Sequence, residues 1–271
     1  MTPEQRKEEI SKAARAAFPG VRLGGGMLST FTELNRRRPK TDYIDFVTHT
    51  TCSIVHAADD RSVMETLETL PAIIASTRAM IGAKPYRIGP SAIAARSNPY
   101  GKGMADNPAN IRVCLTDRDP RQRGLFNAAW TLGYIAACAY GGLEGVAMGA
   151  VTGPFGLVDG RAGCYPAFHV IAGLARGCGH PLVEVKVSHP RQAAALAWRE
   201  GERSVLWLAN LGAAPLALRI EGVGETDRRL SVIDASTFEQ ASRTADALDV
   251  LAQRFVGDEL TLDAYAVARI A

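Results

Sequence analysis

The sequence predicts an α/β domain built on a parallel sheet, followed by an antiparallel β-sandwich-like domain. Three observations predict it. Helix-like and strand-like patterns alternate through the first two thirds of the chain. Each short apolar strand there runs into a segment rich in Gly, Pro, His and Asn, as parallel sheets covered by helices do. After Gly179 the pattern changes to short strand-like runs separated by turn residues, with the boundary near Cys178–Pro181. The 271 residues then divide into units of 1–180 and 181–271, in keeping with about 150 residues per domain.

The elements follow in order. Pro3–Ala17 reads as an amphipathic helix with Ile10, Ala13, Ala14 and Ala17 on one face, Thr2 as its N-cap and Gly20 just past its end. Val21–Leu23 reads as a strand running into Gly24-Gly25-Gly26, and Tyr43–Thr48 as the next strand. A loop, His49–Arg61, follows. Ser62 is the expected cap of a helix to about Met80, with Glu65 completing a capping box and Pro71 kinking or splitting it. Pro85–Gly89 is a third strand, and Pro90–Pro120 a long loop of the kind that carries function. Arg121–Tyr140 is a helix ended by Gly141-Gly142, Gly145–Ala150 a fourth strand, and Tyr165–Arg176 a helix. Strand-like runs then cover Leu182–Val187, Ala193–Arg199, Ser204–Asn210, Leu216–Glu221, Leu230–Ile233 and Thr261–Ile270, with turns at Gly201, Gly212, Pro215, Gly222 and Gly224. Ser236–Leu251 reads as part helix, part loop.

Composition excludes several classes. Lys+Arg 31 against Asp+Glu 28 gives +3, too little for a nucleic-acid binder, and Arg36-Arg37-Arg38 with Lys40 reads as a solvated helix end. Five Cys, odd in number and without a Cys-x-x-Cys pair, read as reduced thiols of a cytoplasmic protein. The charged stretch Met1–Ile10 has no apolar signal core. Leu125–Tyr140 is too short for a membrane span and contains Asn127, so a packed helix is expected.

The loop from His49 to Arg61 is the richest in chemistry. His49 or His56 suits a general base, with Asp59 or Asp60 orienting the imidazole. The competing reading is that Asp59, Asp60 and Arg61 cap and pair at the next helix. The His49-x6-His56 spacing matches no zinc motif, so no metal is expected, and no cofactor either. Cys52 is a conceivable nucleophile, more commonly a buried thiol. The triple Gly lacks a phosphate-binding signature and suggests close backbone approach. Glu33 is a candidate acid/base or helix-start residue, and Asn35 a binder of sugar hydroxyls. Asp60, Arg61, Ser91, Asn98 and Thr152 complete the candidate substrate contacts, while Arg96, Tyr100, Asp106 and Asn107 share the long polyol-compatible loop. The fourth strand end offers only Thr152 as a polar group, so no glycosidase carboxylate pair is in place.

Gly24-Gly25-Gly26 with Phe31-Thr32-Glu33-Leu34-Asn35-Arg36 is similar to the VGGG…FTELNR segment of the D-apionate lactonase family. Asp45–Thr50, Val55–Glu68 and Ala128–Gly133 extend that resemblance, which covers nearly all of 10–210. It implies a TIM barrel of glycoside-hydrolase type with a C-terminal β-domain, hydrolysing a lactone of a branched sugar acid in bacterial sugar catabolism. Family members are about twice this length by the same resemblance. The chain then corresponds to half of a (β/α)8 barrel, strands 5–8, plus the sandwich. It also carries Ala150-Val151-Thr152-Gly153 where lactonase-like members have Glu-Thr-Thr-Gly. The expected function is sugar-lactone hydrolysis by His-activated water on a small sugar acid or lactone. The alternative is a non-catalytic or degenerate carbohydrate-binding fragment. About four strands cannot close a barrel, so self-association or a missing N-terminal barrel half is expected.

Overall fold

The computed structural model describes residues 3–101, 103–160, 163–222 and 228–271, so the Thr2 cap and the Gly224 turn lie outside the described residues. Helix α1 is Pro3–Ala17, and β1 is Gly24–Thr30 rather than Val21–Leu23. The glycines are themselves the strand, and close packing requires them. A Cβ on Gly24 would lie 2.2 Å from the Phe46 ring, and one on Gly26, at φ 137, would lie 2.3 Å from the Thr48 carbonyl. The close approach is therefore to the neighbouring strand.

Helix α2 (Phe31–Arg36) leads to β2, which spans Phe46–Thr50 instead of Tyr43–Thr48. Asp45 holds the strand entry: its carboxylate accepts the Leu23 N–H and pairs with Arg15. The shift moves His49 and Thr50 out of the expected loop and into the strand. Asp59, not Ser62, caps the next helix, α3 (Asp60–Glu65), because its carboxylate accepts the Ser62 N–H at 2.9 Å. The helical run does split: a 3₁₀ turn at Thr66–Thr69 precedes α4 (Leu70–Ile81), with Pro71 in its first turn.

Strand β3 (Tyr86–Ser91) enters the long loop, which Asn107 braces by bonding Ile111 and Arg118 main chain. A 3₁₀ turn at Pro120–Arg123 precedes α5 (Leu125–Tyr140), followed by β4 (Gly145–Met148) and α6 (Pro166–Arg176). The four strands form one parallel sheet in the order β1-β2-β3-β4.

Helices cover one face of this sheet. Val47, Tyr86 and Ile88 face the helices and are 0–1% exposed. The opposite face is partly open: Gly24 and Ala147 are exposed, and Arg87 lies 4.0 Å over the Phe46 ring. Leu28 also points away from the core at 92% exposure.

The second unit begins with β5 (Leu182–Val183), β6 (Ala193–Glu200), β7 (Arg203–Asn210), β8 (Leu216–Arg219) and β9 (Arg228–Ile233). Two short helices, α7 (Phe238–Arg243) and α8 (Ala247–Val250), then β10 (Gln253–Phe255), β11 (Glu259–Leu262) and β12 (Val267–Ile270) complete it. The run Thr261–Ile270 is thus two strands in different sheets, separated at Tyr265, whose φ is 57. A six-stranded antiparallel sheet, β10-β9-β12-β7-β6-β5, is faced by the pair β11-β8. Leu206, Leu208, Ile220, Leu230 and Leu262 fill the space between.

One continuous core joins the two units. Helix α5 is apolar almost all round because it lies between the parallel sheet and the β6–β7 face. On α6 and at its end, Gly173 and Gly177 give room to two indoles. Added Cβ atoms would lie 2.2 Å from Trp207 and 2.8 Å from Trp198. Trp207 is fully buried, a large apolar contribution at this joint. Among the described residues no helix is long and apolar enough to cross a membrane.

Candidate functional site

Strand alternation decides which side chains can meet a ligand. His49 shares the helix-facing side of β2 with Val47 and is 0% exposed. Its Nδ1 lies 2.8 Å from the Thr50 carbonyl, which can only accept, so Nδ1 carries the proton. Nε2 therefore accepts from the Tyr86 hydroxyl, 2.6 Å away. The same hydroxyl lies 3.3 Å from the Thr77 Oγ1. Burial lowers the His49 pKa, so the ring is neutral at neutral pH. Both ring nitrogens are occupied within the protein, and the expected carboxylate partner is not among them.

The C-terminal ends of β2 and β3 carry a hydroxyl cluster instead. Thr51 Oγ1 lies 2.8 Å from the Tyr134 hydroxyl and 3.3 Å from the Ser91 Oγ. Tyr134 reaches Ser91 at 3.3 Å from α5, and burial pushes its pKa well up, keeping it protonated. A cleft of about 240 Å³ opens beside this cluster, bordered by Phe31, Thr51, Cys52, His56, Tyr100 and Tyr134. His56 is exposed at its border and has no hydrogen bond or ion pair among the described residues. Burial raises the Cys52 thiol pKa, which favours the thiol over the nucleophilic thiolate.

The acids of the loop are engaged elsewhere. Asp59 caps α3, and the Ser62 hydrogen bonds hold its carboxyl below the usual range. Asp60 pairs with Arg112 at 2.9 Å and Arg121 at 3.1 Å, tying the start of α3 to the long loop. Arg61 pairs with Glu65 on the helix surface. Glu33, in the first turn of α2, pairs with Arg36, and Asn35 accepts from Arg38 at 3.2 Å. Asn98 folds its own loop through Gly103 and Tyr100 main chain. Thr152 is exposed in the tight loop after β4, where Ala150 N–H donates to the Phe155 carbonyl.

The structure thus brings His56 to the border of the cleft, keeps Ser91 buried beneath it through Thr51 and Tyr134, and engages Glu33, Asn35, His49, Asp59, Asp60, Arg61 and Asn98 elsewhere. Thr51, Tyr86 and Tyr134 were not singled out by sequence. Only period-2 alternation in β2 and an isolated Tyr on an apolar helix could have pointed to them. Among the described residues no three His, Cys, Asp or Glu side chains are grouped as metal ligands would be.

Comparison with known proteins places the chain. Residues 1–179 match the family described as "D-apionate lactonase, TIM barrel domain", and residues 190–270 match "D-apionate lactonase, C-terminal immunoglobulin-like domain". A curated D-apionate lactonase of Brucella anthropi is 46% identical over 219 residues, covering 79% of this chain and 35% of the relative. The chain therefore spans about a third of that relative's length. Among solved structures, a GH30 endoxylanase from Clostridium papyrosolvens has a TM-score of 0.57 at 12% identity, covering 99% of this chain and 60% of the other. A family 44 endoglucanase from Clostridium acetobutylium has a TM-score of 0.59 at 7% identity, covering 98% and 60%. These two likenesses establish a glycoside-hydrolase-like fold and nothing of activity. With both of its domains matched and that degree of identity to a curated member, the chain belongs to the D-apionate lactonase family, as a TIM-barrel domain followed by an immunoglobulin-like domain.

Proposed function

We propose that the chain supplies strands 5–8 of a (β/α)8 barrel and the following immunoglobulin-like domain to an enzyme that hydrolyses a sugar lactone of apionate type. The 46% identity to the curated lactonase carries this reading. The four-stranded sheet supports the half-barrel assignment, since β1 and β4 have no outer strand neighbour among the described residues. The other four strands come from the same polypeptide or from another chain, and size-exclusion chromatography of the 271-residue chain distinguishes the two. Its five free thiols suit a reducing cytoplasm.

In the reaction, a water oxygen bonds to the lactone carbonyl carbon and the ring C–O bond breaks. The water proton passes to a base and on to the ring oxygen, and the new carboxyl group releases its proton to solvent. His56 is the base we assign, because it borders the cleft with an uncommitted imidazole. The Thr51 and Tyr134 hydroxyls face sugar hydroxyls, and Ser91 positions both from beneath. Asp59 and Asp60 act through the loop, as positioning residues that fix the start of α3. His49 supports the sheet from its sealed side.

His56→Ala is expected to lower kcat for lactone opening by about 10²- to 10⁴-fold, read by pH-stat titration. Unchanged turnover would remove His56 from the reaction. Binding of sugar acids without turnover over a panel of lactones would favour the degenerate-fragment reading suggested by Ala150.

A further inference from the structure

Two arginines of the parallel-sheet unit have opposite surroundings. Arg121 is buried and saturated: Nε and Nη2 donate to the two Asp119 oxygens at 2.9 and 2.6 Å, and Nη1 to Asp60 at 3.1 Å. Arg96, five residues past the end of β3, has none of this. Its Nη2 donates to the Gly149 carbonyl at 2.5 Å, just past the end of β4. The guanidinium lies 4.2 Å over the Phe155 ring. Nε is buried without a hydrogen-bond partner among the described residues. Burial alone shifts its pKa, downward, with no acidic neighbour acting the other way.

We propose that Arg96 is an anion-binding element at the C-terminal ends of β3 and β4 and takes the carboxylate of a sugar acid. A guanidinium stays protonated in proteins, so a desolvated one with an idle N–H costs free energy until an anion satisfies it. Its planar fork matches a carboxylate and can bond it through two N–H groups. Phe155 fixes the plane of the fork, and the Gly149 carbonyl fixes its rotation. The group bridges the C-terminal ends of β3 and β4, the end of a parallel sheet where ligands bind.

The identity of the anion rests on the lactone-opening reading. Lactone opening yields a sugar acid, and its carboxylate is the group that the Arg96 fork matches.

The test uses the whole chain. The Arg96 Nε–H resonance, assigned by its loss in Arg96→Lys, is followed by ¹⁵N–¹H spectroscopy during titration with sodium D-apionate, sodium glycolate and neutral glycolamide. A saturable shift with both carboxylates and none with glycolamide is expected. Arg96→Gln, checked for folding by its melting curve, is expected to weaken D-apionate binding about 10- to 100-fold. No shift with carboxylates, or an equal shift with glycolamide, overturns the proposal; the titration itself uses the wild-type chain. A carboxylate shift without lactone turnover leaves the anion site standing and sinks the proposed activity. Turnover with unchanged KM, kcat and product inhibition in Arg96→Gln does the reverse.

Discussion

The two faces of the four-stranded sheet are built from alternate residues of the same strands and have opposite physical states. Toward the helices, Val47, His49, Tyr86 and Ile88 are 0–1% exposed and every polar atom among them is bonded. On the other side, Gly24, Leu28 and Ala147 are exposed, and the ring of Phe46 is covered by an arginine rather than by a helix. The difference teaches that chemical type does not identify a functional residue in a strand; its parity does. His49 has the right chemistry but is sealed with both ring nitrogens bonded, whereas His56 lies beyond the strand, exposed at the border of the cleft.

The largest expected break in the comparison is a truncation on the sealed side. Ile88→Ala removes packing at a position 1% exposed and should cost about 2–5 kcal/mol. Ala147→Ser, on the open side of the neighbouring strand, should stay within about 0.5 kcal/mol. Urea unfolding of both variants measures this; equal losses would show that the open face is packed in solution.

Tyr86→Phe is the next step down. It deletes the donor that satisfies the His49 Nε2, leaving a buried acceptor unpaired, at about 1–3 kcal/mol. An unchanged midpoint would mean that water reaches the imidazole and that the sealed face is less sealed than its geometry implies.

Much of the architecture was legible in the sequence, and the limits have physical causes. Alternating helix and strand patterns, the split at Pro71 and the change near Cys178 all follow from local rules. Strand registers did not. Tyr43–Thr50 is strand-compatible throughout, and only the glycines of β1 packing on Phe46 and Thr48 select Phe46–Thr50. Asp59 and Ser62 are both good caps three residues apart, and the choice depends on which N–H is left free. The hydroxyl cluster joins Thr51, Ser91 and Tyr134 across 83 positions, a meeting that no local pattern encodes. Arg96 was visible as a loop arginine, but its lack of an acid partner is a property of the fold.

A pH dependence sharpens the comparison further. Burial lowers the pKa of both His49 and His169 below the ordinary 6.5. The unfolded chain, with histidines near 6.5, then binds protons that the native chain refuses. Stability is present in full above about 6.5 and is lost as pH falls toward the lower native values. The slope is at most about 1.4 kcal/mol per pH unit for each histidine. Denaturation midpoints between pH 7.5 and 5.5 should fall accordingly, and a flat profile would show that neither imidazole is held neutral. Carboxylates held below their usual range, such as Asp59, act only at lower pH.

The smallest effect on stability is expected at Leu28, and it bears on the half-barrel reading most directly. A leucine 92% exposed contributes little to the chain that exposes it, so Leu28→Ser should change the unfolding free energy by less than about 0.5 kcal/mol. The same leucine lies on β1, an edge strand, on the side turned away from the helices. If four further strands from another chain close the barrel, that side chain enters the shared interior, and its replacement by a hydroxyl costs burial at the junction. Sedimentation velocity then reads what unfolding cannot: wild-type chain should associate, and Leu28→Ser should shift the equilibrium toward monomer while melting as before. A wild-type chain that stays monomeric at every concentration assigns the covering strands to the same polypeptide. A variant that associates as the wild type does would place the contact on another surface.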